Sequence, residues 1–147
     1  MSVVPIDQRR KIALAYDGSD DARNMFKWAI SNILKPGEDH VTIISVLPDT
    51  RRPSQDNASE APQHTPAQAS LIERVRDLAR ELNTHHLTTQ DVVLYGDPRV
   101  SIPKFTRETT VDLLIMGSRG LGQVKSVSDR CVHECVCPVL VVRPNTK

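Results

Sequence analysis

The chain has 147 residues, 39% of them hydrophobic, enough for one compact domain with a core of its own, and it is read as a single domain over 1–147. Its 19 Lys and Arg nearly cancel its 18 Asp and Glu, for a net charge of +1, and aromatics make up 3%. That balance excludes the clustered basic surface of a nucleic-acid binder and the stacking platforms of a single-strand binder.

The opening residues, MSVVPIDQRR, read as a loose polar leader with no apolar stretch of signal-peptide length. Lys11 to Tyr16, KIALAY, is the first strand pattern. Asp17-Gly18-Ser19-Asp20 is turn chemistry that closes a strand and opens a helix, with Ser19 or Asp20 as the cap. Ala22, Phe26, Ala29, Ile30 and Ile33 then share one helical face, and Lys35-Pro36-Gly37 stops the helix. Val41 to Val46, VTIISV, is a second strand rich in β-branched residues. From about 47 to 66 the chain is proline-rich and polar with no apolar period, and reads as a flexible excursion: a lid or a plain loop. Leu71, Val75, Leu78 and Leu82 form the stripe of a second helix, and its charged residues, Arg74 among them, read as a solvated face. Val92 to Tyr95 is the third strand, followed by a helix start with Asp97 as cap and Pro98 at the first position. Pro103 predicts that this third helix is kinked or short.

The last stretch, Val111 to Pro144, carries two continuous apolar runs, Leu113 to Met116 and Val139 to Val142, joined by a glycine-rich turn and a helix. Runs without polar alternation predict strands covered on both faces, as in a parallel sheet with helices on either side. Strand and helix alternate throughout, so the expected fold is a doubly wound α/β domain with five parallel strands. With strand order 3-2-1-4-5 the switch point falls between strands one and four. A ligand would then sit off Tyr16-Asp17 and Met116-Gly117.

Gly117 and Gly120 lack a Cβ, so their backbone is free to take positive φ and approach an anion, and the helix that follows offers amides to a phosphate. Ser126 and Ser128 would add hydroxyl donors, and Asp17 would accept bonds from ribose hydroxyls. The alternative reading is that the glycines only permit the turn and that Asp17 only forms one. No run reaches the length of a membrane span, so no membrane partner is expected. The three cysteines, all between Cys131 and Cys137, make no disulfide framework and suit a reducing cytoplasm. Cys131 and Cys135 share a helical face while His133 points elsewhere, so buried inert thiols are the expectation and a zinc site is not. His85 and His86 read as surface. No nucleophile elbow, Walker lysine or H-x-x-H pair is present, so no catalytic residue is assigned. Receiver-type phosphoacceptor chemistry lacks its acidic pair after strand one and its lysine after strand five.

Taken together, KIALAYDGSDDA, VVLYGDPR and DLLIMGSRGLG followed by SVSDRCVHECVCPVLVVRP resemble the universal stress protein family, over Lys11 to Arg143. The resemblance implies a UspA-like domain with a Rossmann-like, adenine nucleotide alpha hydrolase-like fold and a stress-response role as sensor or regulator. It also implies a homodimer joined through the last strand, Val139 to Val142. Some members bind ATP, with Mg2+, or AMP, and others bind no nucleotide. A Gly-x2-Gly-x9-Gly-[Ser/Thr] motif separates them. Carried over, the resemblance puts Asp17 near the nucleotide with Ala15 and Tyr16, and Val46 against adenine. Met116, Gly117, Arg119 and Gly120 would line the ribose and phosphates, with Ser126, Val127 and Ser128 at the following helix. Any ATP hydrolysis would be slow, because no residue is placed as a base for water.

The second half of the motif departs from the family. Nine residues after Gly120 come Arg130 and Cys131, neither glycine nor Ser/Thr. Aligned on Ser126-Val127-Ser128, the chain puts Lys125 in the last glycine's place, with about five residues of the loop missing. That predicts a reshaped phosphate wall and keeps a second reading open: a dimeric signalling or scaffold module that binds no nucleotide.

Overall fold

The structure, a computed structural model, describes residues 4–48, 65–118 and 124–143, and only the backbone of 124–126. Five strands, β1 (Arg10–Ala15), β2 (Asp39–Leu47), β3 (Thr88–Tyr95), β4 (Leu113–Gly117) and β5 (Val139–Val142), alternate with four helices, α1 (Asp20–Asn32), α2 (Pro66–Thr84), α3 (Pro98–Glu108) and α4 (Val124–Glu134). All four strand pairings are parallel, in the order β3-β2-β1-β4-β5. The α/β fold and strand order expected from the sequence are therefore present.

Side chains alternate across each strand, so the sheet sorts its apolar residues into two cores. Ile12, Leu14, Tyr16, Val41, Ile43 and Ile115 face α1 and α2, meeting Met25, Phe26, Ala29, Val75 and Leu82. Ala13, Ala15, Ile44, Leu114 and Met116 face the other way, onto Ile102 of α3 and Val127 and Cys131 of α4. Burial on both faces is what the unbroken apolar runs required. β5 is the exception: Val139, Leu140 and Val141 are only half-buried, because the strand stands at the sheet edge.

Local signals account for the helix starts. Ser19 caps α1, its hydroxyl accepting from the Ala22 N–H, and Asp97 caps α3 ahead of Pro98. α2 begins with a full capping box, Thr65 with Gln68, and with Pro66 in its first turn. Leu47 lies in β2 and Pro66 in α2, so the connection is shorter at both ends than the sequence suggested; residues 49–64 of that excursion lie outside the described residues.

Two expectations are corrected. The short alternative for α3 does not hold: the helix runs past Pro103 to Glu108, with Ile102, Pro103 and Thr106 buried against the neighbouring layer. The polar leader is tied down rather than loose from Val4 on. Val4 N–H donates to Gly37 O at 3.1 Å, Ile6–Gln8 forms a 3-10 turn, and Arg9 is buried with Nε on Val4 O at 2.7 Å. Among the described residues no helix is long and apolar enough to cross a membrane.

Candidate functional site

The carboxyl ends of β1 and β4 diverge. Their ladder stops at Leu14↔Ile115, while β1 continues beside β2 to Ala15↔Ile44 and β4 continues beside β5 to Gly117↔Val142. Beyond the break Tyr16 N–H still donates to Ile44 O at 2.9 Å, and Ser118 N–H to Val142 O at 3.1 Å. The backbone is therefore drawn apart at the switch point, where an open α/β sheet places its ligands.

The residues expected there are partly brought together. Ala15, Val46, Met116 and Val127 belong to one apolar cluster beneath the break, on the α3 and α4 side. Tyr16, 3% exposed, points into the opposite core. Ser128 is buried and hydrogen-bonded or otherwise engaged. Arg119 and Gly120 lie outside the described residues, as do the side chains of Lys125 and Ser126, whose backbone belongs to the first turn of α4.

Asp17 is half-buried and works first as a turn former: its Oδ1 accepts the Ser19 N–H at 2.9 Å. Gly18 beside it has φ +84°, a conformation that suits glycine and lets the chain reverse from β1 into α1. Gly117 behaves differently from expectation. Its φ is not positive; a Cβ there would lie 3.4 Å from the Asp21 carbonyl oxygen, an ordinary contact, so α1 passes beside the end of β4 with room for a small side chain.

Sequence reasoning missed the neighbours of Asp17 on α2. A cleft of about 360 Å3 is lined by Asp17, Ala67, Gln68, Ser70, Leu71 and Arg74, and a Cβ on Gly18 would meet Leu71 Cδ1 at 3.2 Å and Arg74 Nη1 at 3.4 Å. The Thr65-x-x-Gln68 box marks where α2 starts, but nothing local says which turn it will lie against. The cleft thus sets one carboxylate, one guanidinium, an amide and a hydroxyl around open space, a set that suits a polyhydroxylated or anionic ligand. Among the described residues no three His, Cys, Asp or Glu side chains converge as a metal site.

The thiols differ from one another. Cys131 is fully buried, whereas Cys135 and Cys137 are half-buried. A hydrogen bond with Cys135 first, then burial, pushes the Cys131 thiol far up. Cys135 is lowered to about 7, chiefly by its hydrogen bond with Cys131. The buried set expected from the sequence is therefore fully buried only at Cys131.

Residues 8–143 match the universal stress protein family. The chain is 32% identical to the universal stress protein PHOS34 of Arabidopsis thaliana over 92% of its own length and 62% of that protein's, so it spans less than two thirds of that relative. Among solved structures it superposes on the universal stress protein UspA of Lactobacillus plantarum with a TM-score of 0.72, at 22% identity over 92% of this chain and 99% of that one. It also superposes on an Arabidopsis thaliana universal stress protein family protein with AMP bound, with a TM-score of 0.67 at 19% identity over 93% of each chain. By its sequence match and its fold, this chain belongs to the universal stress protein family.

Proposed function

We propose that the chain is a stress-response regulator that binds an adenine nucleotide, ATP with Mg2+ or AMP, in the crevice between β1 and β4. The observation that carries this reading is the break in the β1–β4 ladder after Leu14↔Ile115, with Ala15, Val46 and Met116 forming an apolar floor on one side. Asp17, two residues beyond the end of β1, lines the cleft against α2, and the AMP-bound relative shares the fold. Adenine would lie on the apolar floor, and the Asp17 carboxylate would accept from ribose hydroxyls. The helix start after Gly117 would present amides to phosphate, with Arg119, Gly120, Ser126 and Ser128 on that side. In this reading occupancy rather than turnover would be the signal. Free thiols suit the cytoplasm as its setting.

The test is direct. Freshly purified protein is denatured and its supernatant analysed for adenine nucleotide, and Tm is followed with millimolar ATP-Mg or AMP. A ligand at about 100 times its Kd stabilises by about 2.7 kcal/mol, a shift of several degrees for a domain of this size. Asp17→Asn keeps an acceptor for the Ser19 N–H but removes the charge, and should cut that shift. No released nucleotide and no shift with either ligand would overturn the reading.

A second reading rests on the sheet edge and survives that result. β5 is an edge strand with Val139, Leu140 and Val141 half-buried, and an apolar edge of this kind is suited to pairing with a second copy. A homodimer through Val139–Val142 would serve as a signalling module with or without nucleotide. Light scattering should give twice the protomer mass, reduced to one by Val141→Lys; a monomer at every concentration would exclude it.

A further inference from the structure

Three thiols gather at the C-terminal end of α4, and their positions give them different chemistry. Cys131 faces the core with 0% exposure, so an oxidant in water does not reach it first. Cys135 is the first residue past α4, half-buried, beside Val136 at 67% exposure. Its backbone N–H still donates to Cys131 O at 3.0 Å, so the two residues keep helical i, i+4 spacing. Helical rise then puts their Cα atoms about 6 Å apart, inside the range of about 4.4–6.8 Å that a disulfide spans. Their Cβ atoms have to close from about 5–6 Å to about 4 Å. Cys135, outside the helix, is the one able to move.

We propose that Cys135 and Cys131 are a peroxide-reactive thiol pair, with Cys135 the attacking sulfur and Cys131 the resolving one. The electrostatics agree with the geometry. The Cys131 S–H donates to Cys135 and stabilises its thiolate, and the Arg107 charge adds to this, which brings Cys135 to about 7 against the opposing effect of burial. The Thr106 hydroxyl lies against the same sulfur, but its proton is already on Pro103 O at 2.7 Å, so most of the effect belongs to Cys131. Cys137, pushed up by burial and by Cys135, is the less reactive neighbour.

The oxidant is a hydroperoxide. The Cys135 thiolate attacks one peroxide oxygen, an S–O bond forms, the O–O bond breaks, and the departing hydroxide (for hydrogen peroxide) takes a proton to become water. The Cys131 sulfur, giving up its proton, then attacks the Cys135 sulfenic sulfur; the S–S bond forms, the S–O bond breaks and a second water leaves. Two thiols lose two electrons and one peroxide gains them. The displacement of Cys135 runs into residues 136–138, where the Val136 N–H to Thr106 Oγ1 contact at 3.4 Å is weak, and these residues lead into β5. Oxidation at this pair would therefore be felt at the sheet edge.

The full chain, freed of reductant, is treated with equimolar hydrogen peroxide, alkylated with iodoacetamide and digested with trypsin. Because Pro144 follows Arg143, residues 131–147 leave as one peptide holding all three cysteines. The expected product has lost two hydrogens and carries one alkyl group, on Cys137. In native protein at pH 7, Cys135 should alkylate about tenfold faster than Cys137. Cys131→Ala should stop at a Cys135 sulfenic acid trapped by dimedone, and Cys137→Ser should keep the bridge. Three alkylated thiols after peroxide, a bridge to Cys137, or faster alkylation of Cys137 would each overturn the proposal. The wild-type alkylation order decides it even if a variant fails to fold.

Discussion

The two ends of the sheet are built on opposite principles. At the amino ends of the strands the buried charged side chains, Arg9 and Asp39, are hydrogen-bonded. Asp39, 1% exposed, accepts from Arg10 Nε at 2.9 Å and Nη2 at 2.8 Å and from the Lys35 N–H at 2.8 Å. Arg9 reaches Asp39 O and Thr88 Oγ1, both at 3.4 Å, and Lys11 Nζ donates to Ile6 O. Across the same end the Lys11 N–H donates to Asp112 Oδ2 at 2.7 Å. At the carboxyl ends the β1–β4 ladder breaks and a cleft opens beside Asp17. A closed polar network holds strands in register; an open rim leaves groups for a ligand. The lesson is that charge density alone does not mark a site in this fold: the denser cluster is the structural one.

The comparison breaks most visibly at Asp39. Asp39→Ala leaves the Arg10 guanidinium and the Lys35 N–H without their acceptor, and should cost about 3 kcal/mol. Tm should fall by on the order of 10 °C, with any nucleotide response retained in the folded fraction. A loss below about 1 kcal/mol would mean that the network is ornamental. At the rim, Gly18→Ala forces a side chain onto φ +84° and against Leu71 Cδ1, and should cost about 1–2 kcal/mol. Gly117→Ala meets only an ordinary contact at 3.4 Å and should change stability by less than about 0.5 kcal/mol. Urea unfolding of the two variants side by side separates a glycine that its backbone conformation requires from one that has room for a methyl group. Equal losses would erase the distinction.

Much of this was legible in the sequence because short-range rules govern it. Unbroken runs such as Val139–Val142 declare strands, and Asp97-Pro98 declares a helix start, since each depends on neighbours within a few residues. What stayed hidden depends on distant partners. Arg9 and Arg10 read as solvated until Asp39 and Thr88 are folded beneath them. Arg74 reads as a surface charge until α2 is laid beside Gly18. Gly117 suggests a positive φ in the sequence, whereas in the fold its φ is not positive and its neighbour, the Asp21 backbone of α1, comes from another element. Half of the candidate site was thus visible as residue types and little of it as geometry.

The smallest expected effect tests the closed end by pH. His40 lies half-buried in β2, with Nδ1 2.8 Å from Thr88 Oγ1. Burial first, then the charge of Lys11, holds its imidazolium below the usual 6.5; a hydrogen bond with Gln90 opposes this, and Arg9 adds to it. The sign follows from which state takes the proton. Above 6.5 the imidazole is neutral in both states and the fold keeps its full stability. As pH falls through 6.5 the unfolded chain binds the proton first, so stability drops until the lower folded value is passed, and then levels. Urea unfolding at pH 7.5 and 5.5 should therefore show a loss in the wild type that His40→Gln makes smaller. Parallel losses would place the acid sensitivity elsewhere and leave His40 as packing alone.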